Sequence, residues 1–149
     1  MYERVVVGTD GSDTAAEAVR QAAELAKLCG ARLHIVHVFQ PVSAIATMGA
    51  DAGAAAVAAG LPEAAERHAS EVLERAAQAG TRIGVDVEAH LHTGDPANAL
   101  IETAKKVDAD LVVVGNKGMS GVRRFVLGSV PNKLSHHAPC SLLIVNTAS

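Results

Sequence analysis

Residues 5–38 read VVVGTDGSDTAAEAVRQAAELAKLCGARLHIVHV. Val5-Val6-Val7-Gly8 is an unbroken β-branched run closed by Thr9-Asp10-Gly11-Ser12, as expected of a strand covered on both faces and followed by a turn. From Ser12 to Cys29 the apolar residues Ala18, Val19, Ala22, Leu25, Ala26 and Cys29 recur at helical spacing. Thr14 and Glu17 read as a capping box, and Gly30 as the stop. Leu33 to Val38 is a second strand. Strand, helix and strand in this order form a parallel crossover unit, and such crossovers are right-handed.

The alternation continues to the C-terminal end. A helix is expected over roughly Pro62 to Ala79, with Gly80 as its stop. Ile83 to Leu91 alternates apolar and polar residues, which predicts a third strand with one wet face at a sheet edge. Asp95 and Pro96 supply the cap and first position of a third helix. Leu111 to Val114 is the fourth strand, Ser129-Val130-Pro131 opens a fourth helix that Ala138-Pro139 ends, and Leu142 to Val145 is the fifth strand. The expected fold is therefore one α/β domain over residues 1–149: a doubly wound, open, parallel five-stranded sheet in the order 3-2-1-4-5, with helices on both faces. Residues 39–61, rich in alanine and glycine with a single charge, read as a mobile flap, or as a short helix over the site.

Composition narrows the function. A chain of 149 residues can bury ~68–70% of its unfolded surface and needs no staples. A net charge of -3, with Tyr2, Phe39 and Phe125 the only aromatics, argues against nucleic acid as a partner. Cys29 and Cys140 have neither CxxC nor zinc spacing and read as small buried hydrophobes in a reducing compartment. No segment has the ~18 apolar residues of a membrane span or a signal core, so a cytoplasmic protein is expected.

The chemistry concentrates in residues 115–129, GNKGMSGVRRFVLGS. The P-loop pattern fails because Lys117 precedes Gly118, and the dinucleotide fingerprint fails after both the first and fourth strands. What remains is Gly115, two residues, Gly118, nine residues, then Gly128-Ser129 at a helix start. That is an anion cradle: bare helix amides, a glycine that admits close approach and a hydroxyl that donates. Ligands in open α/β sheets sit beyond the carboxyl ends of the strands where the order reverses, here between the first and fourth strands. Asp10 would face the cradle, accepting from ribose hydroxyls or an adenine amine, with Val38 lining a base slot. The plainer alternatives are an ordinary turn for the glycines, a cap or turn role for Asp10, and solvated positions for Lys117, Arg123 and Arg124.

At these residues the sequence resembles the universal stress protein family, in its nucleotide-binding branch with the signature G-x2-G-x9-G-[S/T]. Gly115, Gly118, Gly128 and Ser129 match it, and VVVGTDGS, GDPA, ADLVVVG and HAPCSLLIV extend the likeness along the chain. The resemblance implies an adenine nucleotide, usually ATP with magnesium, held by Thr9, Asp10 and the Val38 backbone near the adenosine, and by the glycines, Ser129 and Val130 near phosphate. It also implies a regulator or sensor of stress. Pro131 departs from the pattern by removing donors from the first helical turn, which suits cyclic AMP or AMP as alternative ligands. Other readings are a slow ATPase or phosphotransferase, and an interaction scaffold without ligand. No catalytic residue is assigned, because residues 115–129 hold no Asp or Glu; Asp10 is the one candidate partner for magnesium.

Two features lie outside the cradle. His90 and His92 are spaced to share a strand face, whereas His34 and His37 point to opposite faces; with no third ligand identifiable, no metal site is assigned. His136 and His137 are expected to interact with the dipole of the fourth helix. Leu142, Leu143, Ile144 and Val145 form an apolar edge strand that needs a cover, either a second copy of the chain across a two-fold axis or a helix or chain end. Homodimers of that kind are common in the family the sequence resembles.

Overall fold

The computed structural model describes residues 1–39, 61–116 and 127–147, so residues 40–60 of the alanine- and glycine-rich segment lie outside the described residues. The elements run β1 (Arg4–Thr9), α1 (Asp13–Cys29), β2 (Arg32–Phe39), α2 (Leu61–Ile83), β3 (Val87–Thr93), α3 (Pro96–Lys106), β4 (Leu111–Gly115), α4 (Ser129–His137) and β5 (Ser141–Val145). All strand pairs are parallel and the sheet order is β3-β2-β1-β4-β5, as the sequence predicts.

The sheet separates two cores. On one face Val5, Val7, Leu33, Ile35 and Val113 pack against Ala18, Ala22 and Ala26 of α1 and Leu73 of α2. On the other, Val6, Val36, Val112 and Val114 meet Leu100 of α3 and Leu134 of α4. Successive residues of β1 and β4 thus enter opposite cores, which explains why these strands are apolar throughout. Each fully buried valine or leucine contributes roughly 1.5–3 kcal/mol. The alanine stripe of α1 has little side-chain bulk, so the helix axis can sit close to the sheet. Among the described residues, no helix is long and apolar enough to cross a membrane.

Local signals set most of the boundaries. Ser12 caps α1, its hydroxyl accepting from the Ala15 amide at 3.1 Å, and Gly30 closes it in a left-handed turn at φ 69°. Asp95 caps α3, accepting from the Asn98 amide at 2.9 Å, with Pro96 inside the first turn. At the opposite end of the sheet the Asp110 carboxylate accepts from the Glu3 and Arg4 amides at 2.7 and 2.8 Å and clamps the start of β1. These backbone donors hold its carboxyl below the ordinary value.

Four expectations need correction. Thr14 and Glu17 do not form the cap: Ser12 does, and the Glu17 carboxylate pairs with Arg20 at 2.7 Å. Helix α2 does not stop at Gly80 but runs to Ile83, and Gly84 at φ 99° follows it. Gly80 is there for space: a Cβ on it would lie 2.8 Å from Cγ2 of Val87 and 3.5 Å from Cδ2 of Leu33. Because the helix takes Ile83, the third strand begins at Val87 and extends to Thr93. The cysteines are half-buried rather than buried.

Candidate functional site

The site is organised by the carboxyl ends of β1 and β4. These strands are neighbours in the sheet, with Val5 opposite Leu111 and Val7 opposite Val113. Carrying the register on by two residues sets Thr9 level with Gly115. The crossover from β1 goes to β2 on one side, and the fifth strand lies on the other, so this is the point where the strand order reverses.

On the β1 side, the Thr9 carbonyl accepts from Nδ1–H of His37 at 2.8 Å, tying the ends of β1 and β2 together. The Asp10 carboxylate accepts from the Ser12 amide at 2.9 Å and from the Ser12 hydroxyl. That is the turn role weighed for Asp10. Val38, near the end of β2, packs against the α3–α4 core and pairs in register with His92 of β3.

On the β4 side the organising residue is Asn116, which the sequence reading passed over. Its amide donates to the Val145 carbonyl at 2.9 Å, and its own carbonyl accepts from the Gly128 amide at 3.1 Å. Its side-chain Oδ1 accepts from the amide and hydroxyl of Thr147 at 3.0 and 2.8 Å. One asparagine thereby joins the end of β4, the chain leaving β5 and the residue that opens α4. An asparagine after a strand-ending glycine is a common turn signal, but nothing in the sequence pairs it with Thr147.

Gly128 is the N-cap of α4 and makes no side-chain cap bond. A Cβ there would lie 3.3 Å from the Asn116 carbonyl oxygen and 3.5 Å from Cδ of Pro131, so this glycine answers to crowding. Pro131 is buried at the third helical position. It has no N–H, so the first turn presents only the Ser129 and Val130 amides, together with the Ser129 hydroxyl, to an incoming anion. Gly118, Lys117, Arg123 and Arg124 lie outside the described residues.

A cavity of about 490 Å³ opens beside Thr9 and Asp10, with Ser12, His68, Val72 and Arg75 among its walls. It lies between α1 and α2, on the face of the sheet away from α4, and Val38, Gly115 and Ser129 do not line it. Of the residues expected to hold a ligand, only Thr9 and Asp10 at the end of β1 line this cavity.

The histidines keep the faces that their spacing suggested, but His90 pairs across the sheet and not with His92. His92 meets Thr103 of α3, with Nε2 and Oγ1 3.2 Å apart. His90 reaches across to β2, where its Nε2 lies 3.0 Å from Nδ1 of His34. Glu88 stands beside both, making a third potential ligand that the sequence reading did not identify. The pairing of His34 with Glu88 and of Val36 with His90 in the β2–β3 register puts them together, and register is invisible to spacing within one strand.

A family model described as the universal stress protein family matches residues 1–146. The universal stress protein YxiE of Bacillus subtilis is 33% identical, the alignment covering 97% of this chain and 99% of YxiE. Among solved structures, a universal stress protein in complex with cAMP is 34% identical with a TM-score of 0.72, covering 99% of this chain and 98% of that one. The universal stress protein from Archaeoglobus fulgidus in complex with dAMP is 25% identical with a TM-score of 0.70, covering 97% and 98%.

Proposed function

This chain belongs to the universal stress protein family, and we propose that it binds an adenine nucleotide in the crevice between the ends of β1 and β4. The observation that carries the reading is the N-terminus of α4: an uncapped Gly128, followed by Ser129 and Val130, set by Asn116 at the point where the strand order reverses. Its unpaired amides and positive dipole end favour a phosphate, and Gly128 admits one without a side chain in the way. In this reading Gly115, Gly118 and Gly128 shape the cradle, Ser129 and Val130 donate to phosphate, and Thr9, Asp10 and the Val38 backbone take the adenosine. Support comes from the relatives solved with cAMP and dAMP.

Two ligand readings follow from one residue. ATP, with magnesium near Asp10, requires donors for more than one phosphate. Pro131 removes a donor from the third position of α4, which favours a single phosphate, as in cyclic AMP or AMP. The protein then works as a nucleotide-dependent regulator of a cytoplasmic stress response rather than as an enzyme. Isothermal titration of nucleotide-stripped protein with cyclic AMP, AMP and ATP, with and without magnesium, tests this. Binding that Ser129→Ala weakens ~10- to 100-fold, the loss of roughly one charge-assisted hydrogen bond, is expected. A well-folded wild-type chain that binds none of the three leaves the interaction scaffold as the better reading.

The proposal includes a homodimer through the β5 edge. Leu143 of that strand is 37% exposed, and Leu142 and Ile144 are half-buried. Leu143→Asp should move the elution volume from dimer to monomer; an unchanged volume would remove β5 from the interface.

A further inference from the structure

We infer that His34, Glu88 and His90 form a site for a divalent transition metal, with zinc the fitting ion, on the β2–β3 edge of the sheet. Each offers one ligand atom, and these atoms all lie within 4.8 Å of one another. Nδ1 of His34 and Nε2 of His90 are 3.0 Å apart, and the two Glu88 oxygens divide between them, Oε2 lying 3.8 Å from the first and Oε1 3.7 Å from the second. Two ligands at zinc bond lengths of ~2.0–2.1 Å in tetrahedral geometry are about 3.3 Å apart, so these atoms need only small adjustments to share one ion. Two imidazoles and one carboxylate are a zinc-type donor set, and three protein ligands leave a fourth position for water.

The scaffold favours this use. All three side chains stand on strands whose register is fixed by pairing, not on loops. The side chain of His34 is 4% exposed, that of His90 13% and that of Glu88 44%, so a buried nitrogen pair is reached past a half-exposed carboxylate. Burial holds both imidazoles below their ordinary pKa, the direction that reduces competition from protons for a metal. In the metal-free chain the two nitrogens share one hydrogen; on binding, that hydrogen leaves the shared bond and its ring carries it on the outer nitrogen.

The surroundings identify one competitor. Arg32 reaches Glu88 at 3.3 Å and Asp86 at 3.0 Å, holding the carboxylate by an exposed ion pair that an ion would have to displace. The positive charges of Arg32 and Lys106 and the neighbouring His92 also bear on His90. His34 pairs with Val6 and lies three residues before His37, the residue level with Thr9. At ~3.3 Å per residue, the site is about 10 Å along β2 from the nucleotide end, so it goes beyond the function proposed above and does not depend on it.

The test uses the full chain, stripped with chelator, titrated with zinc against a chromophoric competitor without nucleotide, and in parallel with cobalt(II) read by its visible spectrum. One equivalent per chain with a tetrahedral cobalt spectrum is expected. His90→Gln should weaken zinc by at least ~100-fold and Glu88→Gln by ~10-fold or more, against the 10- to 100-fold that losing an outer partner costs. Arg32→Gln, which frees Glu88, should tighten it, and a Cys29→Ser/Cys140→Ser double variant should leave it unchanged. His34→Gln is avoided because that side chain is buried. Failure of the wild-type chain to take up one equivalent, or equal uptake by His90→Gln and Glu88→Gln, which would mark an adventitious ion only, overturns the assignment.

Discussion

Gly80→Ala puts the packing of α2 on the sheet to a quantitative test. On helix propensity alone the change should stabilise, because alanine is favoured over glycine inside a helix by ~0.8–1.0 kcal/mol. The structure reverses the sign. The new methyl would sit 2.8 Å from Cγ2 of Val87, a distance that real Cβ atoms do not tolerate, with Leu33 at 3.5 Å behind it. Overpacking a buried contact in this way costs ~1–3 kcal/mol, which after the propensity gain leaves a net loss of up to ~2 kcal/mol. Val87→Ala removes the obstructing methyl, so in that background Gly80→Ala should gain up to ~1 kcal/mol from propensity. The cycle of four proteins, measured by urea unfolding, should therefore give a coupling of about 1–3 kcal/mol between the two positions. Thermal midpoints should follow at ~2–4 °C per kcal/mol. If Gly80→Ala stabilises equally in both backgrounds, the helix runs through position 80 without crowding Val87, and the space argument fails.

Further outcomes follow from the hydrogen bonds at either end of the sheet. Asn116→Ala should lose ~1–3 kcal/mol, because the amide and hydroxyl of Thr147 lose a part-buried acceptor, while Asn116→Asp, which keeps an oxygen at that place, should retain most of the stability; equal urea midpoints for the two variants would discount the anchor. Asp95 is held below its ordinary value of 3.8 first by the Asn98 amide and then by Lys133, and Asp110 below the same value first by the Arg4 amide and then by that of Glu3. A lowered folded pKa favours the ionised folded form, so the stability these groups add is fully present above 3.8 and is lost as pH falls through the folded values. Urea midpoints followed downward from about pH 5 should fall less steeply in an Asp95→Asn/Asp110→Asn double variant than in the wild type; parallel curves would rule these carboxylates out of the acid response.

The alternation of apolar runs with capped, helical-period segments determined a five-stranded, parallel, doubly wound sheet, because burial on two faces and the handedness of crossovers leave few other architectures for such a chain. The glycine spacing from 115 to 129 suggested an anion cradle, since bare amides and close approach are local properties of the backbone, and that reading stands as part of the proposed function. Gly80 misled because the sequence shows that a side chain is missing but not whether the backbone needs the freedom or a neighbour needs the space; only the contact with Val87 decides. Asn116 went unnoticed because its partners, Thr147 and the Gly128 amide, are brought to it by the sheet and by α4. The grouping of His34 with Glu88 and His90 was not visible for the same reason. Spacing within one strand tells which residues share a face, whereas contact between strands depends on register, which the packing of the whole sheet sets.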